Sequence, residues 1–248
     1  MTKKIVIFGQ GYLGSYLTAE LSKDKNLEVI PIGRTTGIQY NKYQKTLKSG
    51  IDYFINCAGL VDVEACENDH ALSLESNLTD FISFCDSYKP QHIINMSSYF
   101  VYDQNEEPFK TNYAQHKYLA DEYTLQKDGT VMILGKLFGK SPKQQYRFPE
   151  KCLKEEVVYA EGIEHPFTYL PSVLVNIKNR IYCNKPGQKY TYFNFSKTPY
   201  EFACNLVTDR TLVKIPVLNS FEGYGNWLQS SIKLDEGVIA KYRKEMNA

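Results

Sequence analysis

The stretch "IVIFGQGYLGSYL", residues 5–17, decides the fold. Ile5 to Phe8 make a strand-sized apolar run. Gly9, Gly11 and Gly14 follow, and Tyr12, Leu13, Tyr16, Leu17 and Leu21 recur at helical spacing. A strand, a glycine turn and a helix in this order set backbone N–H groups and the positive end of the helix against a pyrophosphate. Gly9 permits the tight turn, Gly11 lets the backbone approach the phosphates, and Gly14 lets helix and strand pack closely. Tyr12 and Leu13 open the helix and belong to the same cradle. A glycine triplet of this kind also occurs in loops that hold nothing, so the elements around it carry the reading.

Working outward, 27–32, 51–57, 92–96 and 131–134 read as strands, and 12–22, 76–88 and 113–125 as helices. In 76–88, Leu78, Phe81, Ile82 and Cys85 share a face, and Pro90 lies just beyond its end. Strands alternating with helices specify crossover units and a parallel sheet covered on both faces. After Gly139 the rhythm breaks. Residues 141–154 are polar and irregular, 157–159, 169–175 and 190–195 read as sheet elements, and 198–206 as a helix. The fold class is α/β, a doubly wound parallel sheet. Residues 1–139 form the dinucleotide-binding domain. Residues 140–248 form a small mixed C-terminal lobe, interleaved with late sheet elements near 157–180 and 190–206.

Bulk properties narrow the function. The chain has 248 residues, is 43% hydrophobic and carries a net charge of +1, with no long basic run. That balance argues against nucleic acid as a partner. The apolar runs are too short to span a membrane, and no signal-peptide pattern opens the chain. Cysteines 57, 66, 85, 152, 183 and 204 are scattered without a C-x-x-C pair, and the four histidines do not cluster. Reduced thiols in a cytoplasmic protein are expected, with no metal site. Twenty Tyr and thirteen Phe mean an aromatic core, with some rings available to line a pocket. A homodimer stays open, with no face marked for it.

Sites that prefer NAD place an acidic residue at the end of the second strand. Here that end reads "VIPIGRTT", with Arg34 after Gly33. A guanidinium pairs well with a 2′-phosphate, which favours NADP(H) and leaves NAD(H) as the alternative. Arg34 as an ordinary loop charge is the competing reading. Cys57, Ala58 and Gly59 are small, so the backbone comes close to the cofactor there. "YAQHK", 113–117, sets Tyr113 and Lys117 on one helix face. A nearby ammonium is expected to lower the phenol's pKa toward useful proton exchange. "NMSSYFVYD", 95–103, puts Ser97 and Ser98 at a strand's carboxyl end, where open parallel sheets hold ligands.

These stretches together resemble the extended short-chain dehydrogenase/reductases of the NAD-dependent epimerase/dehydratase superfamily, and most of all the branch containing dTDP-4-dehydrorhamnose reductase. "IFGQGYLGSYL" resembles the cofactor turn, and "INCAGLVDVEACENDHALSLESN" the Asn-Ala-Ala … Val-Asp-x-Ala-Glu … Asn segment. "MSSYFVYD" and "YAQHK" resemble the Ser/Thr-x-x-x-Tyr strand end and the Tyr-x-x-x-Lys helix, and "VMILGKLFG" the strand on the nicotinamide side. "HPFTYLPSVL" and "NWLQSSIKLD" are looser matches. The resemblance implies a Rossmann fold and hydride transfer between nicotinamide C4 and a sugar carbon. Ser98 would hydrogen-bond the substrate oxygen and Tyr113 would give or take its proton. Lys117 would hold the nicotinamide ribose and bias Tyr113 toward phenolate. The substrate implied is a nucleotide sugar, contacted by Asp62, Phe100, Tyr102 and Trp227. Asp62 reads equally as a helix N-cap, and Trp227 as a lobe anchor.

The departures shape the choice of reaction. The turn is one residue shorter than the extended pattern, Gly135 replaces an Arg, "FTYLPS" lacks an Asp pair, and the C-terminal lobe is short. Tyr99 and Phe100 follow Ser98 where sugar-nucleotide dehydratases carry Asp-Glu, so dehydration lacks its acid and base. Phe100 stands where GDP-fucose synthase-like enzymes carry a Cys, and Phe moves no proton. An NADP(H)-dependent keto-sugar reductase is the expectation. An epimerase with tightly held NAD is the alternative, and a catalytically silent nucleotide-binding regulatory subunit is the alternative of another class. Lys136 is expected to reach the cofactor or solvent, and Asn77 to support the central sheet.

Overall fold

The computed structural model describes residues 2–33, 47, 50–102, 108–143, 152, 158–161, 164–183, 187–207, 213–216 and 237–246. Arg34 and Trp227 lie outside these residues, as do most of 141–154 and much of the segment after 207.

A six-stranded parallel sheet organises the chain. Its strands are β1 (Lys3–Phe8), β2 (Leu27–Ile32), β3 (Tyr53–Asn56), β4 (His92–Ser98), β5 (Thr130–Leu134) and, later in the chain, β9 (Lys189–Tyr192). The order β2-β1-β3-β4-β5-β9 reverses direction beside β1, where β2 lies to one side and β3 to the other. This is the doubly wound α/β architecture, and ligands in such sheets bind at the carboxyl ends near the reversal. The central strands β3 and β5 are buried along their whole length, as strands covered on both faces must be.

Helices α1 (Tyr12–Leu21), α2 (Val63–Asn68), α3 (His70–Leu74), α4 (Asp80–Tyr88), α5 (Asn112–Gln126) and α6 (Leu170–Cys183) surround this sheet. α1 and α6 cover one face, packing Leu17, Leu21, Val173 and Ile177 on Ile5, Ile55 and Met132. α4 and α5 cover the other, with Phe81, Phe84 and Ala120 against Val6 and Phe54. α3 and α4 are joined by one wider, π-helical turn, Glu75–Thr79. The segment read as a plain helix over 76–88 therefore contains an extra residue per turn at its start.

Two further expectations are corrected. Residues 169–175, read as a strand, are the end of β8 (His165–Tyr169) and the start of α6. The short apolar run resembles a strand, but Leu170, Val173, Ile177 and Ile181 continue a helical stripe onto the sheet. Pro171 sits in the first turn of α6, where its missing N–H costs nothing. The run 190–195 splits between β9 and β10 (Phe195–Lys197). Asn194 fixes the break: its N–H donates to the Phe167 carbonyl, and its side chain accepts from the Tyr169 N–H at 2.7 Å.

The second layer is small and aromatic. β6 (Lys136–Phe138), β8 and β10 form a three-stranded sheet in the order β10-β8-β6. β7 (Val158–Glu161) pairs with β11 (Val213–Pro216). α7 (Pro199–Leu206) begins with a full capping box between Thr198 and Glu201, and with α8 (Gly237–Met246) it closes over the small sheet. Phe167 and Phe202 stack at 4.3 Å, with Phe138 and Phe195 around them. Much of the aromatic content therefore fills this core. Fully burying each such ring stabilises by about 1.5–3 kcal/mol.

The two layers meet at Gly135. A Cβ there would collide with the backbone of Pro166 and lie 3.0 Å from the Phe167 nitrogen. The Gly135 N–H donates to Thr168 Oγ1 at 2.8 Å. Where β8 crosses the end of β5, this position has no room for a Cβ. Gly135→Ala is expected to destabilise the fold by about 1–3 kcal/mol through overpacking. A chemical denaturation midpoint equal to that of the parent would contradict this close crossing.

Candidate active site

A cleft of about 360 Å³ opens at the carboxyl ends of β3, β4 and β5. Its floor at one end is the glycine turn. The Gly9 N–H donates to the Ile32 carbonyl, and the Cys57 N–H to the Phe8 carbonyl, each at 2.7 Å. The turn is thereby pinned between β2 and β3. Gly9 has φ +90°, and a Cβ on it would run into the Ala58 backbone. A Cβ on Gly14 would strike the Gly9 carbonyl. Neither glycine lines the cleft; both shape the turn from beneath. Gly11, Tyr12 and Leu13 do line it. Gly11 is the N-cap of α1, gives no side-chain cap, and has open space where a Cβ would stand. The first amides of α1 thus face a cavity, a geometry suited to phosphate oxygens.

Cys57, Ala58 and Gly59 form the adjoining wall. The Cys57 thiol is pushed up to about 12 by burial, although the charge of Lys117 opposes this, so it stays protonated. Asn77 in the π-helical turn also lines the cleft, and its Nδ2 donates to the Leu60 carbonyl at 3.2 Å. It therefore holds the loop after β3 rather than the central sheet. A Cβ on Gly59 would lie 2.7 Å from Asn77 Oδ1. That oxygen is buried and has no donor among the described residues. A buried unsatisfied acceptor costs about 1–3 kcal/mol, which a ligand donor would offset. Wider helical turns of this kind often occur at functional positions.

At the other end stand Ser98, Tyr113 and Lys117, all lining the cleft. Ser98 ends β4 opposite Leu134 of β5. Thr111 caps α5 by accepting from the Ala114 N–H, which places Tyr113 in its first turn. Tyr113 and Ser98 line the same cleft, and the phenol, like Lys117, is buried. Ser97 faces away from this pair, donating to Asp121.

The electrostatics differ from the expectation of an acidified phenol. Burial pushes Tyr113 up to about 12, and Ser98 alone pulls the other way. Lys117 donates to the Met96 carbonyl at 2.5 Å, and burial lowers its pKa against the opposing charge of Asp121. Removing water from the phenolate outweighs the effect of the lysine one helical turn away.

Phe100 and Lys136 complete the cleft. Burial holds the Lys136 ammonium down to about 8. Behind it, His165 Nδ1 lies 3.0 Å from the Tyr99 hydroxyl, and burial with the Lys136 charge holds this imidazole down to about 3. Lys117 and Lys136 are the charged side chains among the described lining residues.

Two expected substrate contacts are not brought here. Tyr102 is buried beneath α5 and donates to Asp121 at 2.6 Å, because the chain turns back after Ser98. Asp62 is the N-cap of α2, accepting from the Ala65 N–H at 3.1 Å, and its side chain stays at the surface. Asn77 and Asp121 escaped the candidate set drawn from the sequence; the Asn in the matched segment was the available signal for the first. Among the described residues, no group of His, Cys, Asp and Glu is arranged to hold a metal ion. No described helix is long and apolar enough to cross a membrane.

Comparison with known proteins agrees with this architecture. The model of the NAD dependent epimerase/dehydratase family matches residues 5–156, and the chain belongs to that family. No curated protein matches the chain significantly in sequence. The fold is similar to dTDP-4-dehydrorhamnose reductase from Yersinia enterocolitica, at 18% identity and a TM-score of 0.79, covering 98% of this chain and 99% of that one. The Bacillus anthracis dTDP-4-dehydrorhamnose reductase in complex with NADP matches at 17% identity and a TM-score of 0.79, covering 99% of each chain. UDP-glucose 4-epimerase from Thermotoga maritima, solved with UDP-glucose, matches at 14% identity and a TM-score of 0.72, covering 98% of each.

The depressed imidazole at 165 has a stability consequence. The folded chain keeps His165 neutral down to about pH 3, whereas the unfolded chain protonates it below about 6.5. Its contribution is therefore complete above about 6.5 and is lost as pH falls toward 3. His165→Gln should show a shallower loss of melting temperature between pH 7 and 4 than the parent. Parallel curves would remove His165 as a source of the acid sensitivity.

Proposed function

We propose that this chain is an NADP(H)-dependent reductase of a nucleotide-linked keto sugar. The observation that carries the reading is the convergence of Ser98, Tyr113 and Lys117 in one cleft, beside the uncapped start of α1. The nicotinamide supplies a hydride when bound. The first amides of α1, at Gly11, Tyr12 and Leu13, hold the pyrophosphate, with Gly9 and Gly14 giving the turn its shape. Cys57, Ala58 and Gly59 flank it, and the unpaired Asn77 oxygen accepts a donor from the bound molecule. Lys117 holds the nicotinamide ribose.

Tyr113 is a proton donor in this reading. Burial keeps it a phenol at every pH below about 12, so the proton to be given is present throughout the neutral range. Ser98 favours the phenolate left behind, and its hydroxyl orients the sugar oxygen toward the same phenol. Phe100 forms part of the substrate wall, and the placement of the two groups supplies orientation.

Preference for the 2′-phosphorylated cofactor rests on Arg34 after the end of β2 and on the missing carboxylate there. The NADP complex of the Bacillus anthracis reductase supports the same choice. The substrates named for the similar structures, dTDP- and UDP-linked sugars, support a nucleotide-linked substrate.

The test is NADPH oxidation with a panel of nucleotide-linked 4-keto sugars. Tyr113→Phe should lower turnover by about 10²–10⁴-fold while NADPH still binds, as read by fluorescence. Undiminished turnover in that variant would reject the proton donor. Retained NAD in the purified protein would favour an epimerase. Cofactor binding without turnover on any substrate would favour a nucleotide-sensing subunit.

A further inference from the structure

One helical turn beyond Lys117, α5 carries Asp121, whose side chain is fully buried. Its Oδ1 accepts from Asn95 Nδ2 at 2.7 Å. Its Oδ2 accepts from Ser97 Oγ at 2.5 Å and from the Tyr102 hydroxyl at 2.6 Å. Asn95 is held in turn by Asn56 Nδ2 at 2.7 Å. Asn95 and Ser97 alternate on one face of β4, so both reach the same carboxylate. Between them lies Met96, whose carbonyl accepts from Lys117. The carboxylate and the ammonium are thus coupled across a single peptide of β4, immediately before Ser98.

We propose that Asp121 is the positioning residue of this site: its carboxylate keeps Lys117 an ammonium and clamps the end of β4 from which Ser98 projects. Lys117 needs such a partner. Burial drives it toward the neutral amine, and among its surroundings Asp121 gives the strongest opposing influence. The other titratable groups near it are the Cys57 thiol and the Tyr113 phenol, and burial keeps both protonated up to about 12. Asp121 is raised by its own burial, with the charge of Lys117 and the three hydrogen bonds opposing that. Tyr102, which also faces it, is held protonated by burial and by Asp121 itself, with Glu122 acting in the same sense. The Lys189 ammonium lies over the Tyr102 ring, 4.6 Å from its centroid. Three donors converging on one carboxylate favour the ionised form, and an ionised carboxylate favours the ammonium.

The inference rests on the role given to Lys117 above, but it is tested without turnover. Competitive acetylation across pH, quantified by mass spectrometry, reads how much of Lys117 is a neutral amine. Exposed Lys23 serves as the internal reference. In Asp121→Asn, relative labelling of Lys117 at neutral pH should rise about tenfold, and its pH curve should move to lower pH with the plateau unchanged. Ser97→Ala removes one hydrogen bond but no charge and should leave the curve within about twofold of the parent. An unmoved curve in folded Asp121→Asn overturns the proposal. If Asp121→Asn does not fold, the carbon-13 resonance of the Asp121 carboxyl in the parent chain decides. An ionised group at neutral pH supports the proposal and a protonated one overturns it. Loss of the Tyr113 reading would leave these labelling results intact, so the two can fail separately.

Discussion

Backbone meets backbone where β1 turns toward α1 and β3 gives way to Ala58, and the two leave no room for a side chain. That exclusion sets the position of everything above it. The turn at Gly9 lies against Ala58, Gly14 lies against Gly9, and Cys57 is tied to Phe8. Because the contacts are between main chains, the spacing is set by main-chain van der Waals contact and hydrogen bonding and not by how side chains repack. The start of α1 and the wall after β3 are therefore held at a constant separation, and the cleft between them inherits that precision.

The opposite wall is held differently. Lys117 and Asp121 are buried ionisable groups, and burying charge is expensive unless geometry and hydrogen bonding are good. Here the expense falls on a lattice of short polar contacts from Asn56 through Asn95 to Asp121 and on to Ser97 and Tyr102. An apolar core of the same volume would hold α5 to β4 with less desolvation. What it would lack is direction: each contact in this lattice specifies one rotamer, and the result is a strand end that presents Ser98 to Tyr113.

Much of this arrangement was legible in the residues. Alternating strands and helices identified the sheet, and the i, i+4 spacing of Tyr113 and Lys117 beside a strand ending in Ser98 located one end of the cleft. Other parts depend on contacts that local pattern does not encode. Asp121 lies in "YLADEY", which reads as an ordinary solvated helix face until β4 is laid against it. Tyr102 looks like a continuation of the strand end, but Val101 bonds back to Ser98 and the chain reverses. The apolar run at the start of α6 has the composition of a strand, and only the later Ile177 and Ile181 restore the helical period. The acidity of Tyr113 is not legible in the sequence, because charges can be counted along a chain whereas the loss of water around a phenol cannot.

The wide turn at Glu75–Thr79 has a consequence for how this segment can vary in length. It shifts the angular phase between Asn77, which looks into the cleft, and Phe81 and Phe84, which look into the sheet. A regular helix through the same residues could satisfy one direction or the other. Loss of a single residue here would rotate either the amide or the two aromatic rings off target. The segment is therefore locked to its present count of residues, even where its outer side chains meet solvent.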